Sequence, residues 1–382
     1  MSAGHEAPGR YESLRTCRAV AAILLVCFHL SDNLARPKYF GSDAAPLEQF
    51  FALGGHARVA FFFVLSGFII TLMHRKDIGT PGRLLPYLRK RVTRIYPTYL
   101  LVFSCAYLAS LSLPSLRDSA PTDLGVLLKS LLLLPQDPAV VGGTGAPVLY
   151  VVWSLQYEMV FYAAMALAIV HRMLLAGALL LFVLNMAWHL FTGSTSFPGS
   201  FFANDLLLLF GIGAATAWVV QRDDWRLRRP GWVAAAAGGS FFGIGALAEI
   251  LDGAVPLPLL HMGYGLFAAI LIVALVQAEQ QRQPGRRFGN RFTALVGDAS
   301  YALFLLHLPL LALLTRVAVG AGLHGVGGML VTFVLILAAC VAVAIAFHQW
   351  IERPLLKGLA PCRPKQRTSA SIGLRGHEPA AR

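Results

Sequence analysis

The sequence predicts an all-α integral membrane protein of about ten transmembrane helices with both termini in the cytoplasm. Three observations carry this. The 382-residue chain is 57% hydrophobic and only 13% charged, too apolar for an ordinary soluble domain. Its apolar residues gather into runs near the ~20 residues that cross a hydrocarbon core. Its basic residues fall almost entirely into alternate connections between those runs.

The net charge is +13, from 32 Lys and Arg against 19 Asp and Glu. In a soluble protein such an excess suggests nucleic acid. Here the basic residues sit in short loops between apolar runs, so the membrane is the expected partner and nucleic acid is not. With the N-terminus inside, all but six of the 32 basic residues lie on the inner side, the exceptions being Arg36, Lys38, Arg58, Arg117, Lys129 and Arg316. The positive-inside rule then fixes the orientation.

In chain order, residues 1–15 form a cytoplasmic N-terminal arm. Residues 1–14 are polar and no small-residue cleavage site follows the first apolar run, so that run is expected to remain as an anchor. The membrane domain occupies 16–356, with spans at 16–34, 57–74, 95–113, 150–170, 173–191, 201–220, 231–251, 256–276, 294–316 and 328–351. The stretch Leu124–Leu134 is apolar but brief and contains Lys129, so it reads as an interfacial or re-entrant piece. Loops 35–56 and 114–149 are the longest connections and the natural contacts for an external substrate. Residues 357–382 form a polar, basic tail, expected to be disordered in the cytoplasm. Five cysteines show neither metal-ligand spacing nor a paired framework, and no metal site is expected.

Few ionisable side chains fall well inside the spans, and intramembrane polar groups are usually functional. Arg18 and His29 lie eleven residues apart in the first span. That is a rise of ~16 Å and almost three turns, so they share one face at different depths. Glu158 is the carboxylate nearest a span centre, in the fourth span. His307 lies near the centre of the ninth and Ser66 near that of the second. Each has a structural alternative. Ser66-Gly67, taken alone, is a pair of small residues that lets helices approach closely. His307 precedes Pro309 and could bond a carbonyl freed by the proline. Glu158 could hold a structural hydrogen bond to Trp153 or Tyr157. For Arg18 with His29 the functional reading prevails.

The strongest basic cluster runs from Tyr87 to Pro97, at the inner end of the third span. Topology and anionic headgroups suffice to explain it. Yet Arg91 and Arg94 are three apart, share a helix face, and could grip a phosphate with planar guanidinium forks. Coenzyme A would suit them. No Walker-type loop or dinucleotide fingerprint supports another nucleotide.

Together these segments resemble the integral-membrane acyltransferase-3 family. LRTCRAVAAILLVCFHL is similar to its first-helix signature, with Arg18 and His29 in place. RVAFFFVLSGFII carries the Ser66-Gly67-Phe68 motif, and LRKRVTRIYP the Arg91 and Arg94 motif. WSLQYEMVFY places Glu158 in the acidic position; ASYALFLLHLPLL supplies Ser300, Tyr301 and His307, and HQWIERP a C-terminal Glu-Arg-Pro. Two departures stand out: Ala60 replaces an aspartate of many relatives, and Met159 follows Glu158 where they have a second acid.

The resemblance implies a stand-alone, exopolysaccharide-type O-acyltransferase in a bacterial inner membrane. It would move an acyl group, by default acetyl, from cytoplasmic acyl-CoA to a hydroxyl of a surface glycan or lipid-linked oligosaccharide. Under it His29 is the base or a transient acyl carrier, and Glu158 orients or stabilises His29. Arg18, Arg91 and Arg94 hold the coenzyme A phosphates. Ser66 and Gly67 line the channel, with Ser66 donating to the thioester oxygen. Trp153, Tyr301 and His307 are further candidates. A transporter of glycans or lipid-linked sugars is the competing class, since midplane polar groups also suit translocation. Its loss would remove polymer from the surface, whereas loss of an acyltransferase would remove only the ester.

Overall fold

In a bilayer no water satisfies the backbone, so long apolar runs must close their own hydrogen bonds as helices. The computed structural model describes residues 11–53, 57–112, 120–222, 224–251, 255–282 and 288–359. It is all-helical, and ten of its helices are long and apolar enough to cross a membrane. They are α1 Glu12–Leu34, α2 Ala57–His74, α3 Leu84–Ser112, α4 Trp153–Val170 and α5 Arg172–Thr192. Then follow α6 Leu206–Val220, which reaches spanning length only together with the short helix Gly199–Phe202 before it, α7 Pro230–Ile250, α8 Leu257–Gln280, α9 Ser300–Gly320 and α10 Gly325–Phe347.

Each predicted span has its helix, but several ends move. α1 starts at Glu12, inside the predicted arm, because a carboxylate from α8 caps it. Glu279 accepts hydrogen bonds from the Glu12 and Ser13 amides at 2.8 and 2.9 Å and from Ser13 Oγ at 2.5 Å. A carboxylate there satisfies amides that a helix start leaves unpaired. α3 starts eleven residues before the predicted 95, since the intervening Leu, Arg and Lys are good helix formers that hydropathy alone does not register. The predicted ninth span breaks at Ala299, between the short helix Arg291–Asp298 and α9. Beyond α10 a π-helical turn, His348–Glu352, leads into a helix over Arg353–Leu359. That helix overlaps the first residues of the predicted tail; the rest of the tail, and residues 1–10 of the predicted arm, lie outside the described residues.

Packing relates the helices in direction. α1 and α9 touch at three successive levels, Arg18 with Ser300, His29 with His307 and Asn33 with Thr315, so they run parallel. α2 and α6 are also parallel: Phe63 stacks on Phe210, Gly67 and Gly213 lie in the contact, and the Arg75 guanidinium sits 5.8 Å from the Trp218 ring. α1 and α8 run oppositely, joined at Glu12 and Glu279. These directions fit a chain that crosses with each long helix.

The brief apolar stretch after α3 forms the helix Leu124–Leu131, too short to span. It descends antiparallel along α3. Tyr107, Tyr99 and Tyr96 of α3 donate their hydroxyls to the carbonyls of Pro121, Ser130 and Leu132 at 3.2, 2.6 and 2.8 Å. Eleven residues of α3 amount to ~16 Å of depth, so the segment is re-entrant rather than interfacial. It turns at buried Leu133, whose φ is 56°. On the way back Gln156 Nε2 donates to the carbonyls of Leu134 and Gly145 at 3.2 and 3.0 Å. Irregular backbone at such depth is tolerated where protein groups satisfy it.

Candidate active site

The predicted site residues form two groups. The first lies where α1, α3, α4, α9 and the π-turn meet. Arg18 Nη2 donates to Ser300 Oγ at 2.7 Å, at the start of α9. Arg18 also lies within electrostatic reach of Arg94, Asp298, Glu158 and Glu352. One helical turn before Arg18, Arg15 pairs with Asp298. Tyr301 OH donates to the Ile95 carbonyl at 3.1 Å, which ties α9 to α3 beside Arg94.

Glu158 belongs to this group. Its Oε1 accepts from Tyr162 OH at 2.7 Å and from Ser66 Oγ at 3.2 Å. The structural bond anticipated to Trp153 or Tyr157 therefore goes to Tyr162 instead, one turn further along α4. The expectation that Glu158 orients His29 does not follow from this geometry, because its hydrogen bonds run to Tyr162 and Ser66. Ser66 is likewise committed: its proton points to Glu158 and not to an incoming thioester.

Arg91 and Arg94 face the same tyrosine, Tyr162, yet differ in surroundings. Arg91 is only 7% exposed; its Nη2 donates to His74 Nε2 at 3.0 Å and its guanidinium lies 5.6 Å from the rings of both Tyr87 and Tyr162. Because Arg only donates, His74 carries its proton on Nδ1 and passes it toward Asp77 Oδ2 at 2.9 Å. Arg91 is thus a buried anchor of α3 on α2 and α4. Arg94 is exposed and is the member of the pair placed to meet a ligand.

The second group is the histidine pair. His29 and His307 lie with ring centroids 5.3 Å apart, on parallel α1 and α9. His307 is fully buried and bonds through Nδ1 to the carbonyls of Leu303 and Phe304 at 3.0 and 2.9 Å. The carbonyl that Pro309 frees is that of Leu305, so the proline does not explain this bond.

Gly67 and Trp153 do not join either group. A Cβ on Gly67 would stand 2.2 Å from the Phe210 carbonyl oxygen, so this glycine exists to let α2 and α6 touch. Trp153 packs edge-on against Phe63 and Tyr157, with centroids 6.5 and 6.0 Å away.

Three participants, Tyr162, His348 and His74, were missed in the sequence, and Glu352 was read only as part of the C-terminal Glu-Arg-Pro motif. Tyr162 sits four residues after Glu158, a helical spacing that could have paired them. His348 and Glu352 are also four apart; His348 Nδ1 meets Glu352 Oε2 at 2.7 Å, and Glu352 is 4% exposed. A π-turn widens a helix locally and commonly marks functional positions. His74 gave no signal, since only the fold brings it under Arg91.

A multi-pass membrane protein with paired imidazoles between its helices and an arginine-rich mouth has the parts of a group-transfer enzyme acting on an anionic donor. The family comparison defines the class: residues 11–349 match the model of the acyltransferase-3 domain, described as an acyltransferase domain. The chain belongs to this family and is a membrane acyltransferase. Among individual proteins it is similar to the exopolysaccharide production protein ExoZ of Rhizobium meliloti (strain 1021), with 26% identity over 309 residues, covering 79% of this chain and 90% of the relative. No solved structure matches.

Proposed function

We propose that the protein transfers an acyl group, with acetyl the first to test, from cytoplasmic acyl-CoA to a glycan hydroxyl on the far side of a bacterial inner membrane. The printed name of its Rhizobium relative favours an exopolysaccharide acceptor, presented as polymer or lipid-linked oligosaccharide. One observation carries the donor side of this reading. Arg18, beside exposed Arg94, and His29 both face α9, one against Ser300 and the other against His307, ~16 Å apart along α1. An extended pantetheine arm covers such a span, with its phosphates held by planar guanidinium groups at one end.

His29 then takes the proton of the attacking hydroxyl as the oxygen bonds to the thioester carbonyl carbon. The carbon–sulfur bond breaks, and the proton leaves with the coenzyme A thiolate. Glu158 offsets the charge of the arginines, with Tyr162 and Ser66 fixing its carboxylate. Burial among helices keeps water from competing with the glycan for the thioester.

The test is incorporation of labelled acetyl-CoA into surface glycan by membranes containing wild type or His29→Ala at matched abundance. Label from wild type and a loss of 100-fold or more in the variant are expected, within the range of acid–base contributions. Equal label from both would remove His29 from the chemistry. Absence of polymer, rather than of its ester, in cells lacking the protein would indicate export instead.

A further inference from the structure

We infer that Nε2 of His307 is a hydrogen-bond acceptor for the glycan, taking the O–H next to the hydroxyl whose proton goes to His29. The inference rests on the proposed function and deepens it by naming what the acceptor must carry: two neighbouring hydroxyls.

The argument begins with the tautomer. Nδ1 lies 3.0 and 2.9 Å from two main-chain carbonyls, and a carbonyl only accepts, so the proton is on Nδ1. In a neutral imidazole that leaves a lone pair on Nε2. Nε2 is buried and has no hydrogen-bond partner, in a residue that is 0% exposed. Buried acceptors are rarely left unpaired, and each exception calls for a reason. A donor that arrives with substrate supplies one.

Two features identify that donor. The reacting end of acyl-CoA offers an oxygen and a sulfur, which accept, whereas a sugar offers hydroxyls, which donate. The His29 ring lies 5.3 Å away, a spacing that hydroxyls on adjacent sugar carbons can bridge, one to each imidazole. The anchoring of Nδ1 also separates the roles. Neutral carbonyls aim the His307 ring without adding the negative charge that a triad carboxylate lends to an imidazolium. His307 therefore holds a hydroxyl, and His29 moves the proton.

The glutamine and asparagine variants test this, because each keeps one nitrogen's job. His307→Gln retains an acceptor near the position of Nε2; His307→Asn retains a donor near Nδ1 but no acceptor beyond it. Rates of labelled acetyl transfer to surface glycan, the KM for acetyl-CoA and the pH profile are measured in membranes of matched abundance. Transfer by His307→Gln within about fivefold of wild type, with an unchanged pH profile, is expected. Both His307→Asn and His307→Ala should lose on the order of 10–100-fold, the range for a buried group left unpaired, with the KM for acetyl-CoA unchanged.

Asparagine rescuing better than glutamine would overturn the inference, since the main-chain bond alone would then matter. Glutamine as inactive as alanine would overturn it in favour of an imidazole that itself carries the proton. A raised KM for acetyl-CoA with the saturated rate intact would move the ligand to a pantetheine amide. No transfer by wild type would instead fell the proposed function, and the inference with it, in an arm separate from the variants.

Discussion

Arg91 and Arg94 stand three residues apart in one motif, yet their environments assign them different work. Replacing Arg91 with lysine keeps the charge but removes the planar fork that donates to His74 and stacks between Tyr87 and Tyr162. We expect Arg91→Lys to lower stability by about 2–3 kcal/mol, read as reduced membrane abundance and an earlier thermal transition in detergent. Arg94→Ala should leave abundance intact and raise the KM for acyl-CoA about tenfold, with kcat little changed, as a lost charge-assisted contact to a phosphate would. Similar KM changes with similar abundance for both variants would contradict this division. The sequence displayed the motif but not the difference, because burial of Arg91 depends on His74 seventeen residues earlier and on Tyr162 in another helix. Arg18 and His29 were legible for the opposite reason: eleven residues of helix fix their common face without any tertiary information. The role of Glu158 was legible only in part: its i,i+4 spacing to Tyr162 stands in the sequence, whereas its bond from Ser66 depends on how α2 packs against α4.

At the scale of elements, lipid is as apolar as the side chains facing it, so close packing and not hydrophobic exclusion holds α2 to α6. Gly67 and Gly213 are the means: a Cβ on Gly213 would stand 2.0 Å from the Val64 carbonyl oxygen, as one on Gly67 would at 2.2 Å from that of Phe210. Backbone atoms cannot swing aside as a flexible side chain can. Gly67→Ala should therefore destabilise by about 1–3 kcal/mol, the usual range for overpacking, visible as a lowered Tm in detergent. Gly177→Ala is the control, because α5 has no buried residue and nothing lies within 4 Å of that position. Equal Tm values for the two variants would refute the packing role. The existence and order of the spans were legible from hydropathy, which responds to the bilayer thickness. The starts of α1 and α3, the break at Ala299 and the π-turn at His348–Glu352 were not, since capping by Glu279, helix propensity outside the apolar run and local widening leave no trace in hydropathy. The brevity of Leu124–Leu134 excluded a span, but only the tyrosine bonds from α3 show that it dips inward.

For the whole molecule, helix directions and charge make one statement about orientation. α1 parallel to α9, α2 parallel to α6 and α1 opposed to α8 are the relations that follow if each long helix crosses once. An uncounted or missing crossing between α1 and α9 would have made that pair antiparallel. The end that holds the start of α1 also gathers Arg15, Asp298 and Glu279, with Arg94 of α3 within electrostatic reach of Arg18. If each span crosses once, the sequence assigns all but six of the 32 Lys and Arg to that side. Positive charge resists translocation, so this end is expected in the cytoplasm, where acyl-CoA is found. A C-terminal fluorescent fusion should glow in cells and a C-terminal alkaline phosphatase fusion should be inactive. A cysteine at Ser42, in the short helical turn after α1, should react with a membrane-impermeant maleimide added outside intact cells. An active phosphatase at the C-terminus, together with labelling of Ser42→Cys from outside, would mean an odd number of crossings and would break the alternation on which the helix directions rest. Labelling of Ser42→Cys only after the membrane is opened would invert the molecule, placing Arg18 and Arg94 away from cytoplasmic acyl-CoA. The proposed path of the acyl group, from Arg18 inward to His29, would then have no donor at its start.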